Sequence, residues 1–307
     1  MEIFRPKLPG VRRRPAAPGG NGKNCCKERK IMVDFEFREH YTFDDLLKIV
    51  RILRHPGGCP WDMEQTHKSL RRCLVEETCE VLEAIDREDD TLLCEELGDV
   101  LLHIVFHASL AEDAGAFTMD DVADGICKKM IYRHPHVFGD TAVSGTGQVL
   151  ANWETLKRVE KGQKSDTDTL EAVARTLPAL WRAEKILKKA AAAGFTWPDI
   201  SGAMEKLAEE QDELQRAVAE QSNVREELGD VLFAAAAVAR FAGIDPEEAL
   251  QEASDKYIAR FSGVEQTAVS QGRRIADMTL SEMVQAWNRA KETERNKSNV
   301  QEENQNE

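Results

Sequence analysis

The chain has 307 residues, a length typical of about two domains, and it carries a formal net charge of −14 with a pI near 5.1. This acidic balance disfavours a general nucleic-acid-binding surface and an anionic-membrane-binding surface. No apolar run reaches the roughly 18 residues of a transmembrane helix. The seven cysteines are an odd count without a C-x-x-C motif, which indicates reduced thiols in a cytoplasmic protein rather than disulfides or zinc ligands.

The first segment is basic and lacks a structural period. Residues 1–31 contain nine Lys or Arg residues, several Pro and Gly, and almost no apolar periodicity. We therefore predict that residues 1–40 form a disordered basic extension. A basic arm that touches nucleic acid is the alternative interpretation.

Helical periodicity begins near Tyr41 and continues to about residue 160. Cap signals at Thr42 and Thr118, each with an Asp three residues later, and a break at Pro135 set several boundaries. We predict a first domain at residues 41–162. Its helices are one that begins near Tyr41, one from about 70 to 87, one from 92 to about 114, one after Thr118 that ends before Pro135, and one around 150–160.

A polar stretch at residues 161–168 predicts a linker, and the second half then repeats the order of the first. We predict a second domain at residues 168–294 and a disordered tail at residues 295–307. Its helices are one from about 178 to 192, two acidic helices around 209 and 227, a long one that begins at Asp245-Pro246, and a final one capped by Thr279.

The two halves share an acidic pattern. E-E-x-x-E occurs at residues 76–80 and 209–213, and E-L-G-D-V-L follows each copy, at residues 96–101 and 227–232. Glu77 and Glu210 are 133 positions apart, so each repeat unit has the size of a domain rather than of a solenoid repeat. The sequence therefore predicts an all-α protein of two tandem helical domains.

The acidic pattern predicts a metal site in each half. Residues three or four apart share a helix face, so two antiparallel helices would bring four carboxylates together. Such a group needs a cation, and oxygen-only ligands suit Mg²⁺ or, alternatively, Mn²⁺. The predicted ligands are Glu210, Glu213, Glu227 and Asp230 in the second half, and Glu77, Glu80, Glu96 and Asp99 in the first.

The bland alternative is a solvated acidic face, which a single E-E-x-x-E usually indicates in a chain that is 31% charged. Two copies with the same following motif favour the site. Gly98 and Gly229 lie inside both helical patterns, where glycine costs about 1 kcal/mol relative to alanine. Either a close approach to the backbone or tight helix packing would explain them.

Cations and an aromatic residue accompany both acidic groups. Lys206 lies one turn before Glu210, a K-x-x-x-R pair follows each Asp, and a W-x-x-x-K motif comes later. Lys and Arg suit phosphate oxygens, and Trp can stack on a base, although core packing explains the Trp residues equally well. The candidates are Lys206, Lys256, Arg260 and Trp287 in the second half, and Lys129, Arg133 and Trp153 in the first.

Other chemistries fit the sequence less well. His103 and His107 continue the stripe of Asp99, which could indicate zinc or iron, but the second half has Ala234 and Val238 there. We therefore predict that both histidines are buried polar residues. A di-iron bundle needs two E-x-x-H motifs, and a single one occurs, at residues 64–67. No P-loop, dinucleotide fingerprint or nucleophile elbow is present.

Residues 42–293 closely resemble the MazG family of nucleoside triphosphate pyrophosphohydrolases, in the all-α NTP-pyrophosphatase superfamily. The strings that carry the resemblance are G-C-P-W-D at residues 58–62, R-H-P-H-V-F at 133–138 and L-P-A-L at 177–180. The resemblance implies hydrolysis of ribo- and deoxynucleoside triphosphates to monophosphate and pyrophosphate with Mg²⁺. It also implies helical-bundle domains that associate as a homodimer.

The resemblance further implies that the C-terminal copy is catalytic. Glu210, Glu213, Glu227 and Asp230 would then hold the metal, Lys206, Lys256 and Arg260 would contact phosphates, and Trp287 would line the nucleotide pocket. Asn223 departs from the family, which has a basic residue there. Glu209 is our candidate for proton acceptor beside Glu210. The alternative function is a non-catalytic helical dimer that senses nucleotides or binds a partner.

Overall fold

The computed structural model describes residues 35–305, with side chains as far as residue 295. All regular secondary structure within this range is helical, which confirms the predicted all-α class. No helix in the described part of the chain is long and apolar enough to cross a membrane. Most of the predicted basic extension, residues 1–34, lies outside the described residues, and residues 35–40 contain neither helix nor strand.

The chain divides into two compact units, Met1–Trp153 and Glu154–Glu307. The division falls inside one helix, and the stretch predicted as a linker at residues 161–168 lies in the second unit, where a short helix begins at Asp166. The helices of the first unit are α1 (Phe43–Arg54), α2 (Pro60–Glu64), α3 (Arg71–Asp86), α4 (Asp90–Asp113), α5 (Met119–Arg133), α6 (Pro135–Phe138) and α7 (Thr146–Glu160). The boundary between the two units lies within α7.

The second unit continues with α8 (Asp166–Glu171), α9 (Ala179–Ala192), α10 (Ile200–Glu220), α11 (Val224–Ala242), α12 (Pro246–Ser270), a 3-10 turn (Ile275–Asp277) and α13 (Leu280–Gln305). The helix α13 runs into the polar segment that the sequence predicts as a disordered tail. This difference arises because the segment lacks an apolar stripe yet is rich in Glu, Gln, Lys and Arg, which have high intrinsic helix propensity.

Side-chain caps define the helix starts that the sequence indicates. Thr42 and Asp45 form a reciprocal capping box at the start of α1, and Thr118 and Asp121 form the same box at α5. Asp245 accepts from two backbone N–H groups at the start of α12, with proline in the first turn. Each cap satisfies N–H groups that the helix itself cannot, worth about 1 kcal/mol.

In the first unit, α3 and α4 form an antiparallel hairpin, and α1 packs against α4. The core beneath this hairpin is a cluster of buried apolar side chains, Val50, Leu70, Val105 and Phe106. Because α4 contributes two of these side chains, its buried C-terminal half fixes the position of its acidic N-terminal half.

In the second unit, α10 and α11 form the equivalent hairpin, α9 packs on α11, and α12 packs on α13. Small buried residues such as Ala217, Ala234 and Ala237 allow these helices to approach closely. At Gly263 of α12 an added Cβ would lie 2.8 Å from the Cβ of Ala290 on α13. This glycine is therefore required by the close packing of the two helices.

The two hairpin turns contain the same unusual conformation. Glu88 follows α3 and Gln221 follows α10, and each has a φ of 52°. They are 133 positions apart, the same offset as Glu77 and Glu210. The left-handed region costs a residue with a Cβ about 1–2 kcal/mol, so both turns hold a strained backbone at equivalent positions.

Candidate active site

The hairpin of α10 and α11 brings three predicted metal ligands together. Carboxylate oxygens of Glu210, Glu213 and Glu227 lie within 4.8 Å of one another. Glu210 and Glu213 share a face of α10, and Glu227 faces them from the first turn of α11. Asp230, the fourth predicted ligand, is exposed and lies outside this group.

A lysine neutralises the most buried of these carboxylates. Glu210 is 7% exposed, and the Nζ of Lys206, one turn earlier, lies 2.7 Å from its Oε1. The same ammonium lies 3.0 Å from the Oε1 of Glu209. Its hydrogen bonds to Glu210 and Glu209 raise the pKa of Lys206, so Lys206 is a fixed positive charge at this site.

Two further side chains orient the ligand carboxylates. The amide Nδ2 of Asn223 donates to the Oε1 of Glu227 at 2.6 Å, and Arg216 lies 3.2 Å from the Oε1 of Glu213. The sequence identified Asn223 as a departure from the family pattern but did not reveal this contact. An amide therefore positions the carboxylate of Glu227.

The hairpin of α3 and α4 builds a second acidic group. Oxygens of Glu77, Glu96 and Asp99 lie within 4.8 Å of one another, and Glu80 lies close enough to both glutamates to raise their pKa values. Burial raises the pKa of Glu77, and the neighbouring charges of Asp99 and Glu80 raise it further. The pKa of Glu96 is raised by burial and then by Glu80 and Asp99. Repulsion in this group favours binding of a cation.

Histidines adjoin the acidic group of the first unit. The Nε2 of His103 lies 3.9 Å from the Oε1 of Glu77. The Nδ1 atoms of His67 and His107 lie 2.8 Å apart, with the two rings parallel within 6°. His103 and His107 are partly rather than fully buried, so they do not reach the full burial that the sequence predicts, and no sequence pattern indicates the contact with His67.

The predicted nucleotide-binding residues form a pair of contacts that recurs in both units. The guanidinium of Arg260 lies 5.9 Å from the ring centroid of Trp287, and that of Arg133 lies 5.2 Å from the ring of Trp153. In the second unit, Arg260 also donates to Glu294 at 2.8 Å. Each arginine therefore lies within cation–π distance of its tryptophan.

These residues are not joined to the carboxylates by any contact found among the described residues. Lys256 and Lys129 are exposed on α12 and α5. No hydrogen bond or ion pair in the described part of the chain connects Lys256 or Arg260 to Glu210, Glu213 or Glu227. The structure thus assembles Lys206, Glu209 and three acidic ligands at one place, and Arg260 with Trp287 at another.

The repeated glycines Gly98 and Gly229 do not contact another helix within the described chain. A Cβ built at either glycine has no described atom within 4 Å. The tight-packing explanation for these two glycines is therefore wrong for contacts within the described chain. The other explanation, close approach by a molecule outside the chain, stays a prediction.

Both acidic groups fit a hard divalent cation. Each offers at least three carboxylate oxygens within the span of a single coordination sphere, without a thiolate. Such a set suits Mg²⁺ or Mn²⁺, which prefer oxygen ligands and leave positions for water or phosphate. The chain therefore contains two acidic clusters able to hold a metal, one in each unit.

Comparison with known proteins identifies the repeated unit. A family model described as the MazG nucleotide pyrophosphohydrolase domain matches twice, at residues 65–138 and 200–264. Each match contains one of the acidic hairpins. The duplicated pattern is therefore a duplicated family domain.

Similarity to individual proteins extends over most of the chain. The protein YabN of Bacillus subtilis is 49% identical over 88% of this chain. This chain spans about half of the length of YabN (54%). A nucleoside triphosphate pyrophosphohydrolase of Escherichia coli is 41% identical over 82% of this chain and 97% of its own length. A nucleoside triphosphate pyrophosphohydrolase of Thermotoga maritima is 41% identical over 81% of this chain and 95% of its own length. The chain belongs to the MazG nucleotide pyrophosphohydrolase family.

Proposed function

We propose that this protein is a Mg²⁺-dependent pyrophosphohydrolase that converts ribo- and deoxynucleoside triphosphates to monophosphates and pyrophosphate. The observation that carries the proposal is the group of Glu210, Glu213 and Glu227 within 4.8 Å, with Lys206 beside it. A cluster that combines acidic ligands and a fixed cation is suited to a metal-bound polyphosphate. The two domain matches and the relatives named as nucleoside triphosphate pyrophosphohydrolases support the same conclusion.

In the second unit, Glu210, Glu213 and Glu227 bind the metal. Asp230, which lies on α11 with Glu227, is the fourth ligand. Mg²⁺ bound there would supply charge neutralisation for the triphosphate and favour attack by water. Mn²⁺ has the same ligand preference. The equivalent ligands in the first unit are Glu77, Glu80, Glu96 and Asp99, which we propose as a second nucleotide–metal site or a supporting one.

The basic side chains bind the phosphates. Lys206 already lies at the carboxylates, and its three N–H donors can turn from Glu209 and Glu210 toward phosphate oxygens. Lys256 and Arg260 extend the positive surface on α12, and Trp287 offers a ring for the base, with Lys129, Arg133 and Trp153 as their counterparts in the first unit. In the chain as described, Arg260 is engaged with Glu294, so phosphate binding requires Arg260 to exchange that partner.

Glu209 is the proposed proton acceptor. Its side chain is exposed beside the ligand group, and one of its oxygens is held by Lys206 at 3.0 Å. The other oxygen is available to take a proton from water as the water oxygen bonds to phosphorus and the α–β phosphoanhydride bond breaks. Histidine cannot take this role from the second unit, because the chain's seven histidines all precede residue 137.

We also propose a homodimer. Leu97 and Leu101 on α4, and Leu228 and Leu232 at the equivalent positions on α11, are exposed beside the acidic residues. Spaced four apart, each pair forms an apolar stripe on one helix face. A second copy of the chain would cover these stripes, and light scattering of the wild type and of a Leu101→Glu/Leu232→Glu variant tests this. A monomeric wild type would contradict the dimer.

The function is tested by product analysis with each nucleoside triphosphate and Mg²⁺. We expect the wild type to release monophosphate and pyrophosphate, and Glu210→Gln to abolish the reaction. The matched variant Glu77→Gln changes the equivalent residue of the first unit. If the second unit is the catalytic one, Glu77→Gln retains most of the activity, whereas comparable losses in both variants would show that both sites react.

Two results would contradict the proposal. Release of diphosphate and inorganic phosphate would mean that the β–γ bond is cleaved. No product with any nucleotide, combined with nucleotide binding in calorimetry, would identify a non-catalytic nucleotide-sensing protein instead.

A further inference from the structure

A basic cavity in the second unit lies apart from both acidic groups. It has a volume of about 450 Å³, within the roughly 300–1,000 Å³ of small-molecule sites. Its walls come from the end of α7, from α8 and from α9, in the stretch between the two segments that match the family. The cavity is lined by five cationic side chains, Lys157, Arg158, Lys185, Lys188 and Lys189, and by two carboxylates, Glu154 and Asp166.

The cavity is lined by more cationic than anionic side chains, five against Glu154 and Asp166, and a third carboxylate, that of Glu184, lies 3.3 Å from Lys188. Lys157 and Lys189 both lie 3.6 Å from oxygens of the single residue Glu154. Their side chains are 20% and 19% exposed, so two largely buried lysines lie close to the same carboxylate. Burial lowers the pKa of Lys157, the carboxylate of Glu154 opposes this shift, and the charges of Lys189 and Lys161 add to it. The lining therefore has a net positive charge, part of which is buried.

The helices hold this charge in fixed directions. Lys185, Lys188 and Lys189 are three and four positions apart on α9 and therefore share a face. Arg158 in the last turn of α7 pairs with Asp166 at the start of α8 at 2.9 Å. In a protein with a net charge of −14, a concave surface with this excess of cations is a focused positive potential.

We propose that this cavity binds a multiply charged phosphoanion, the di- or triphosphate group of a nucleotide or of a free oligophosphate. Several lysines with one arginine form the point-charge set that phosphate oxygens prefer. Thr155, Thr169 and Gln163 add hydrogen-bonding groups to the wall. No aromatic side chain is among the described lining residues, so recognition rests on the phosphates rather than on a base. This site is independent of the proposed catalytic reaction.

The test is calorimetric titration of the full chain with inorganic triphosphate in buffer containing EDTA. Without divalent cations, metal-dependent binding at the acidic groups is suppressed. The variant Lys185→Gln/Lys188→Gln removes two cations from exposed positions of α9, where folding is not at risk. The matched control Lys128→Gln/Lys164→Gln removes the same charge from exposed positions that do not line the cavity.

We expect one triphosphate per chain in the wild type, binding at least about tenfold weaker in Lys185→Gln/Lys188→Gln, and unchanged binding in the control. Equal binding of ATP identifies the nucleotide phosphates as a source, and weaker binding of ATP identifies a free oligophosphate. The proposal is overturned if the wild type does not bind, if both double variants bind equally, or if citrate binds as tightly as triphosphate.

Discussion

The Nζ of Lys206 lies 2.7 Å from the Oε1 of Glu210, the buried carboxylate of the acidic group on α10 and α11. A divalent cation and an ammonium group cannot both take the same carboxylate oxygen without mutual repulsion. Lys206 is one helical turn from Glu210 and has a flexible stem, so it can leave the carboxylate when a metal binds. The released ammonium is then next to the phosphates that the metal holds.

We expect Lys206→Gln to have opposite effects on metal binding and on catalysis. Loss of a positive charge beside Glu210 should lower the Kd for Mg²⁺ in the absence of nucleotide. Loss of a phosphate contact should lower kcat/KM by about 10²-fold, the size of one removed transition-state donor. Calorimetry with Mg²⁺ and steady-state kinetics measure the two effects, with Lys164→Gln as control. Weaker Mg²⁺ binding in Lys206→Gln would show that Lys206 organises the ligands instead.

A second prediction concerns stability in the presence of metal. Mg²⁺ at about 100 times its Kd should stabilise the folded chain by about 2.7 kcal/mol per site, because it relieves repulsion among the carboxylates. We expect Glu213→Gln/Glu227→Gln to remove the increase in Tm that comes from the site in the second unit. Glu77→Gln/Glu96→Gln should remove the increase that comes from the site in the first unit. The exposed neighbour Glu226 provides the control variant Glu226→Gln. A full Tm increase in a chain with all four substitutions would disprove metal binding at these groups.

The start of α13 predicts a pH dependence of stability. Glu282 accepts from the backbone N–H of Thr279 at 2.7 Å and from Arg273 at 2.9 Å. The bonds to Arg273 and Thr279 lower its pKa from 4.5 to about 2. A carboxyl with a lowered folded-state pKa stabilises the fold above its unfolded pKa and loses that contribution as the pH falls. The loss should therefore occur between about pH 4.5 and 2.

Denaturant unfolding of the wild type and Glu282→Gln across this pH range checks the prediction. We expect the variant to be less stable at neutral pH, and the difference to shrink as the pH falls toward 2. The exposed Glu292 on the same helix supplies the charge-matched control Glu292→Gln. A difference between wild type and Glu282→Gln that is independent of pH would contradict the role of the ionised carboxylate.

The hairpin turns predict a stabilising substitution. Gln221 has a φ of 52°, and glycine adopts this conformation without the Cβ penalty. We expect Gln221→Gly to increase the free energy of unfolding by up to about 1 kcal/mol, a gain reduced by the greater entropy of glycine in the unfolded chain. Chemical denaturation measures the change, and Glu88→Gly tests the equivalent turn. Destabilisation by both substitutions would show that these side chains make contacts that outweigh the strain.

Much of this architecture follows from local sequence signals. The Thr–Asp capping boxes, the Asp245-Pro246 start and the repeated E-E-x-x-E predict the helices and the hairpins, because those features depend on neighbours within one turn. The gathering of Glu210, Glu213 and Glu227 also follows, since one short turn forces α10 and α11 to run antiparallel. The structure leaves Asp230 outside that group, although it lies three residues after Glu227 on α11, so the i, i+3 spacing alone does not bring all four carboxylates together.

Contacts between distant parts of the chain could not be predicted in the same way. His67 meets His107 across 40 positions, and the cations of the basic cavity lie on two separate helices, α7 and α9. Asn223 contacts Glu227 within one helical turn, but the direction of its amide depends on the cap geometry of α11. The guanidinium of Arg260 lies 5.9 Å from the ring of Trp287, so two of the residues that the resemblance implies are close together. No contact within the described chain brings them to the carboxylates.

The hairpin construction of the acidic groups has a consequence for the order of folding. Each group is complete once two adjacent helices close across a turn of a few residues, so its contacts are local in sequence. Local contacts form early, because little loop-closure entropy has to be lost before they are gained. We therefore expect the carboxylates to meet before the rest of their unit has packed, so that their repulsion opposes one of the first steps of folding. A divalent cation available at that stage would act on the folding rate as well as on the finished site.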